Sequence, residues 1–191
     1  DINSEIVKAI SESGGKAVGL AGNKDNLLSA TKLKLELKNS DSNIEKLVDI
    51  GFVGQPTNVN IELIKKHIQK GEIPVIAPLG IDDENNSYNI NADTAAGFIA
   101  GKLKASKLLL LTDVAGILDK DNKLVSSLNL EDAIKIIDEK FIVGGMKPKI
   151  LTCVEAMKNG VKKSTILDGR IPHSVVLELF TEHGIGTQIY S

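Results

Sequence analysis

The stretch Ala92–Asp113, ADTAAGFIAGKLKASKLLLLTD, joins a helix made of small residues to a strongly apolar run. Thr94, Ala95, Ala96, Gly97, Ala100 and Gly101 give the helix little side-chain bulk, so a neighbouring element is expected to approach it closely. The run Lys107–Asp113 is apolar enough for a strand in the middle of a parallel sheet. Helical and extended patterns alternate in both directions from this unit. After it come a helix over Leu130–Glu139 and a glycine turn, Phe141–Lys149, that opens a helix to Asn159. A strand at Lys163–Asp168, a helix at Pro172–Glu182 begun by Pro near its first position, and a closing strand at Gly186–Tyr190 complete this half. Before it, Ile2–Ser13 reads as an amphipathic helix ended by Gly14-Gly15, and Lys16–Gly22 as a short buried strand. Ser29–Leu37 alternates like a hairpin strand with one wet face, and Val48–Asn60 is extended. Asn60–Lys70 has helical spacing, and Ile73–Gly80 reads as a buried strand ending in a Pro-Gly loop. Strands and helices in alternation predict an α/β domain, a mostly parallel sheet with helices on both faces, with a boundary near Asn85–Asn91.

Composition excludes several classes of function. The 191 residues carry a net charge of −2, 3% aromatics and no Trp, which gives no basis for nucleic-acid binding. No apolar run approaches the roughly 20 residues of a membrane span, and no signal-peptide pattern opens the chain. Cys153 is the one cysteine, so a disulfide framework is excluded and a reducing compartment is the natural reading. The three histidines, His67, His173 and His183, have no metal-ligand spacing, and neither a GxSxG nor a Walker A pattern is present. The chain starts at Asp1, directly in a helical pattern, which reads as the beginning of an incomplete chain.

Polar and glycine-rich pieces fall at the carboxyl ends of the expected strands, where open α/β sheets bind ligands. In Leu108–Asp119, the strand ends at Thr112-Asp113 and turns through Val114-Ala115-Gly116; this can hold a nucleotide or be a plain βα turn. Gly144-Gly145 precede a helix start, a geometry suited to anions, with Lys149 one turn in. A lysine there opposes the helix dipole, so Lys147 and Lys149 are either ligand groups or solvated surface charges. Asn89, Asn91 and Asp93 alternate just before the small-residue helix. Asp93 alone would serve as a helix cap, but one helix needs one cap, and the surplus of polar groups favours a site.

Taken together and in order, GGKAVGLAG, VDIGFVGQ, IPVIAPLG, YNINADTAAG, LLTDVAGIL, GGMKPK and LDGRIPHSVVLELFTEHGIGT resemble the acetylglutamate kinases, within the amino-acid kinase superfamily. The resemblance implies a three-layer αβα sandwich with a mostly parallel central sheet, the carbamate kinase-like fold, incomplete at its N-terminus. Residues 1–90 would be the latter part of the acetylglutamate-binding lobe and 91–191 the ATP-binding lobe. The implied reaction is ATP-dependent phosphorylation of the γ-carboxylate of N-acetyl-L-glutamate, with Mg²⁺ arriving on ATP. Asn89 would bind acetylglutamate, Asn91 would shape that site, and Asp93 would hold catalytic lysines in place. Lys149 would neutralise the transferring phosphoryl group. Asp113, Val114, Ala115, Gly116, Ile117, Leu118, Phe141, Ile142 and Val143 would line the nucleotide. Glu178 and Gly184 match an arginine-effector region, although Thr165 stands where that branch often has a histidine. The family's opening lysine strand, its glycine loop and its substrate-gripping arginine are not in this sequence, and Arg170 belongs to a different motif. The chain as written is therefore expected to be catalytically incomplete, and a non-catalytic binding module or another acyl-phosphate-forming kinase stands as the alternative. The resemblance also implies a homo-oligomer in the full-length form, a PII signalling partner in photosynthetic lineages, and a cytoplasmic or plastid-stromal location.

Overall fold

The computed structural model describes residues 1–38, 45–142 and 144–191. They form two compact units, Asp1–Ala95 and Ala96–Ser191.

The first unit contains α1 (Ile2–Glu12), β1 (Ala17–Ala21), β2 (Leu28–Lys38), β3 (Glu45–Val59), α2 (Ile61–Gln69), β4 (Ile73–Ala77), β5 (Leu79–Ile81) and β6 (Ser87–Asn89). β1 and β4 make a parallel pair, while β2, β3, β6 and β5 close into a ring. The strand expected to end in a Pro-Gly loop does end at Ala77, but the loop region itself forms a second short strand, β5. Pro78 cannot donate to a ladder, and at that residue the chain leaves the parallel pair and joins the ring. Leu28, Ala30, Val59, Tyr88 and Ile90 are buried in this unit.

α3 (Ala92–Leu103) carries the chain across the division between the units. The second unit continues with β7 (Lys107–Thr112), β8 (Ser127–Asn129), α4 (Leu130–Ile136), α5 (Met146–Lys158), β9 (Lys163–Asp168), α6 (Ser174–Phe180) and β10 (Thr187–Tyr190). Its sheet runs β7-β9-β10-β8, parallel between β7 and β9 and between β10 and β8, antiparallel between β9 and β10. β8 has no counterpart in the sequence reading, because three residues without apolar alternation give no strand signal.

Strand parity sets the layers of this unit. Ile166 joins Ile150, Cys153 and Val154 of α5 in the core, whereas Thr165, one residue away, bonds Glu178 of α6. Successive strand side chains point to opposite faces, so α5 and α6 cover opposite sides of β9. The small residues of α3 meet α5. A methyl on Gly97 would fall 2.5 Å from Thr152 Cγ2, and one on Gly101 2.8 Å from Asn159 Cβ. α6 is shorter than the expected Pro172–Glu182 helix. His173 sits in the left-handed region at φ 60°, which excludes Pro172 from the helix, and Thr181 is already extended.

Candidate functional site

In the first unit, the residues flanking Asn89 and Asn91 alternate as a half-buried strand requires. Tyr88 and Ile90 are buried, and Asn89 and Asn91 are exposed on the other side. Asn89 is fixed by register, opposite Leu79 of β5 and Val53 of β3, and the Ile90 N–H donates to Pro78 O at 2.9 Å. The alternation stops there, because Ala92 starts α3 and Asp93 lies half-buried in its first turn. The cap is Asn91 and not Asp93: Asn91 Oδ1 accepts from the Thr94 N–H at 3.1 Å and from Thr94 Oγ1 at 3.3 Å. An acid in the first turn also suits the helix dipole.

A residue that sequence reasoning passed over holds this segment in place. Asp82 Oδ1 accepts from the N–H groups of Glu84 and Asn86, at 3.0 and 2.8 Å. Its Oδ2 accepts from Asn86 Nδ2 at 3.0 Å and from Tyr88 Oη at 2.7 Å. The Tyr88 hydroxyl, then Asn86, hold the Asp82 carboxyl at about 2, and the same bond pushes the Tyr88 phenol up. Asp82 therefore ties off the turn that delivers Asn89. The signal was present in the sequence, since an Asp ahead of Glu-Asn-Asn favours a side-chain-closed turn.

In the second unit, the carboxyl ends of β7 and β9 meet, with Gly169 N–H donating to Thr112 O at 2.8 Å. Asp168, nearly buried, accepts from Arg170 N–H, Nε and Nη2 at 2.9, 3.0 and 2.8 Å, and Arg170 holds it at about 2. Asp113 also acts electrostatically on Arg170, so two carboxylates and one guanidinium gather at this edge. Asp113, Val114 and Ala115 are exposed there and Leu118 is half-buried. Gly116 and Ile117 are buried; the Ile117 N–H donates to Thr187 Oγ1 at 2.8 Å, and its side chain is part of the core. Ile117 thus anchors the loop on β10 and offers a ligand no side chain. Asp119 ends the turn by accepting from the N–H groups of Asp121 and Lys123.

Phe141 and Ile142 are half-buried, Ile142 against the core, and Val143 lies outside the described residues. Gly145 caps α5 without a side-chain bond, and open space lies where side chains of Gly144 and Gly145 would be. Lys147 is a surface ion pair, 2.6 Å from Asp138 Oδ1, and Lys149 is half-buried in the first turn of α5. Glu178 is buried, with Oε1 accepting from Thr165 Oγ1 at 3.1 Å and Oε2 from the Ile185 and Gly186 N–H groups at 2.9 and 3.3 Å. Gly184, at φ 61°, leaves no room for a side chain beside that carboxylate. Glu178 and Gly184 border a cavity of about 440 Å³ with Lys107, Lys163, His183 and Gln188.

The amino acid kinase family model matches residues 1–168 of this sequence. The chain belongs to the amino acid kinase family. Within it, an acetylglutamate kinase of Rhodospirillum centenum is 53% identical over 188 residues, covering 98% of this chain and 62% of that protein. An acetylglutamate kinase of Afipia carboxidovorans is 50% identical over 189 residues, covering 99% of this chain and 64% of that protein. The chain thus spans less than two thirds of the length of these relatives. An N-acetylglutamate synthase from Neisseria gonorrhoeae, complexed with coenzyme A and N-acetyl-glutamate, superposes with a TM-score of 0.83. It is 26% identical, and the match covers 98% of this chain and 41% of that one. A carbamate kinase from Giardia lamblia shares the fold, with a TM-score of 0.65 at 14% identity over 98% of this chain and 70% of that one. The α/β, carbamate kinase-like architecture of this family is the one expected from the sequence, with two of the three strand pairs in the second unit's sheet parallel.

Proposed function

We propose that these residues belong to an enzyme that transfers the γ-phosphoryl group of Mg²⁺-ATP to the γ-carboxylate of N-acetyl-L-glutamate. The observation that carries this reading is 53% identity to an acetylglutamate kinase, over a match that leaves only 2% of this chain unaligned. A γ-carboxylate is already ionised at pH 7, so no general base is needed. The protein's task is alignment and charge neutralisation. In this reading Asn89 binds the acetylglutamate, and Asn91 shapes its site while capping α3. Asp93 serves as a positioning carboxylate. The uncapped start of α5 offers N–H groups to phosphate oxygens, with Lys149 neutralising charge on the group in transit. Asp113, Val114, Ala115 and Leu118, with Phe141, Ile142 and Val143, line the nucleotide, and Gly116 and Ile117 hold the loop in place. Mg²⁺ enters as part of the nucleotide substrate. Glu178 organises an effector region beside Gly184. Acetylglutamate and ATP are the small-molecule partners, a homo-oligomer is the assembled form, PII is a protein partner, and the cytoplasm or a plastid stroma is the setting.

The test joins these residues to the part of the Rhodospirillum centenum relative that they do not span and measures ADP release. Acetylglutamate should support turnover where glutamate and aspartate do not. Lys149→Ala should lower kcat by about 100-fold or more with little change in ATP affinity. Unchanged kcat would remove Lys149 from the chemistry, and an inactive but folded hybrid would overturn the reaction itself.

A second reading, an amino-acid-binding module without catalysis, is favoured by a similar structure. An N-acetylglutamate synthase from Neisseria gonorrhoeae, complexed with coenzyme A and L-arginine, matches 92% of this chain with a TM-score of 0.75 at 25% identity. Calorimetric titration of this chain with arginine and with ATP separates the readings, because arginine binding with no ATP turnover in the hybrid supports the module.

A further inference from the structure

Asn159–Gly160 is the one Asn-Gly pair in the sequence, and both residues are exposed at the C-terminus of α5. The pair follows from how this helix ends. Val161 N–H donates to Ala156 O at 3.1 Å and Gly160 N–H to Met157 O at 2.9 Å, which together form a Schellman motif. That motif needs a positive φ just past the cap, and Gly160 supplies it at 107°. Asn159 is the cap itself. Its Nδ2 donates to Glu155 O at 2.7 Å, so the carboxamide lies back along the helix. The motif is seated from below, because Val161 and Ala156 are 3% and 2% exposed and belong to the core.

An Asn-Gly pair carries a reaction of its own. The Gly160 nitrogen, once its proton is lost, can attack Asn159 Cγ. The new C–N bond closes a cyclic imide, and the Cγ–Nδ2 bond breaks as ammonia leaves with a proton. Water then opens the imide at either carbonyl, giving aspartate or isoaspartate. Glycine favours the first step, because it has no side chain to crowd the attacking nitrogen. The closed cap blocks that step. The attacking nitrogen is held through its own hydrogen in the bond to Met157 O, and the leaving amide is tied to Glu155 O. Asn159 has ψ 8°, which eclipses the Gly160 nitrogen with the Asn159 amide nitrogen and turns it away from Cγ. We propose that Asn159–Gly160 is a deamidation site gated by the Schellman cap of α5, inert while Val161 is seated and reactive when the end of the helix opens. The change is one-way. An aspartate has no Nδ2 hydrogen for Glu155 O, and it sets a negative charge at the helix end where the dipole disfavours one. An isoaspartate routes the main chain through Cβ, the atom that packs on α3, where a methyl on Gly101 would fall 2.8 Å from it. This chemistry needs only water and holds whichever substrate the enzyme takes.

The test incubates the whole chain at neutral pH, folded and unfolded in guanidinium chloride, and follows Asn159 by peptide mass spectrometry with isoaspartate scored separately. Conversion in the folded chain should be at least about tenfold slower than in the unfolded one, because only the opened fraction reacts. Val161→Ala loosens the seat of the cap and leaves the Asn-Gly pair intact. It should speed conversion in the folded chain by about tenfold with circular dichroism unchanged. Asn159→Asp, which stands for one product, should speed amide exchange at Gly160 and Val161 by about tenfold. Equal conversion rates in the folded and unfolded parent would overturn the gating, and so would a folded Val161→Ala chain that converts no faster than the parent. No conversion in the unfolded chain would remove the site altogether, and unchanged exchange in Asn159→Asp would overturn the one-way loss of the cap. If Val161→Ala does not fold, the parent is read at guanidinium concentrations below its unfolding transition. Conversion should then rise in step with exchange of the Gly160 amide, and conversion that stays flat while that amide opens would overturn the proposal.

Discussion

Gly116→Ala is the sharpest single perturbation of the proposed nucleotide loop. Gly116 has φ 150°, inside the region that L-residues rarely enter, and forcing one there costs about 1–3 kcal/mol. The space is also taken, since an added methyl would fall 2.6 Å from Thr187 Oγ1 and 2.9 Å from Leu124 Cδ1. Overpacking of that kind costs about 1–3 kcal/mol, and the two causes together give about 2–6 kcal/mol. Chains of this size lose about 2–4 °C of Tm per kcal/mol, so a fall of about 4–24 °C is expected. Urea unfolding should show the same loss with an unchanged slope. Thr187 Oγ1 also accepts the Ile117 N–H, so relief of the clash will displace that bond, and the Ile117 amide should exchange faster. A cycle with Thr187→Ala separates the two causes. Removing the hydroxyl opens the space but leaves the backbone conformation, so the double variant should lose roughly 1 kcal/mol less than the two single losses added. A Gly116→Ala chain within about 0.5 kcal/mol of the parent would refute the reasoning, because neither the backbone conformation nor the packing could then be as described.

Asp82→Asn should change the acid limb of stability. The Asp82 carboxyl is held at about 2 against an ordinary 3.8, so its contribution is present above the ordinary value and lost as pH falls toward 2. The variant should flatten unfolding between those values and bring the Tyr88 phenol titration down toward 10, read by absorbance; an unshifted phenol would contradict the pairing. Ser164→Ala should be neutral or stabilising by about 1 kcal/mol, because among the described residues its fully buried hydroxyl has no hydrogen-bond partner. A loss above about 1 kcal/mol in urea unfolding would mean that the hydroxyl is satisfied.

What the sequence disclosed was governed by short-range chemistry. Four consecutive leucines in Lys107–Thr112 mark an apolar strand, which pairs in parallel with β9 over six residues and buries Leu108 and Leu110 while Leu111 stays exposed. The small residues of α3 required a close neighbour, and Thr152 and Asn159 of α5 supply it. Asn91 and Asp93 were recognisable as polar groups at a helix start, but which of them caps depends on where the strand stops. That point is set by the pairing of Asn89 with Leu79, ten residues away, and by the Ile90–Pro78 bond.

Long-range register left no local trace. The ring of β2, β3, β6 and β5 closes through two single-residue parallel pairings, Ser29 with Ile81 and Val53 with Asn89. Neither needs a distinctive residue, so a hairpin pattern predicts β2 and β3 but not the closure. The Thr187–Ile117 bond spans 70 positions and decides which part of the proposed nucleotide loop is exposed. It separates Asp113, Val114 and Ala115, which reach solvent, from Gly116 and Ile117, which the core holds. Motif reading assigns all of these residues one role because they are contiguous. The backbone gives them two, since a loop can present backbone and side chains to a ligand only if its far end is anchored. Gly116 and Thr187 provide that anchor, so substitutions there should act on stability first and on affinity for the proposed nucleotide through it, whereas substitutions at the exposed Asp113 should act mainly on that affinity.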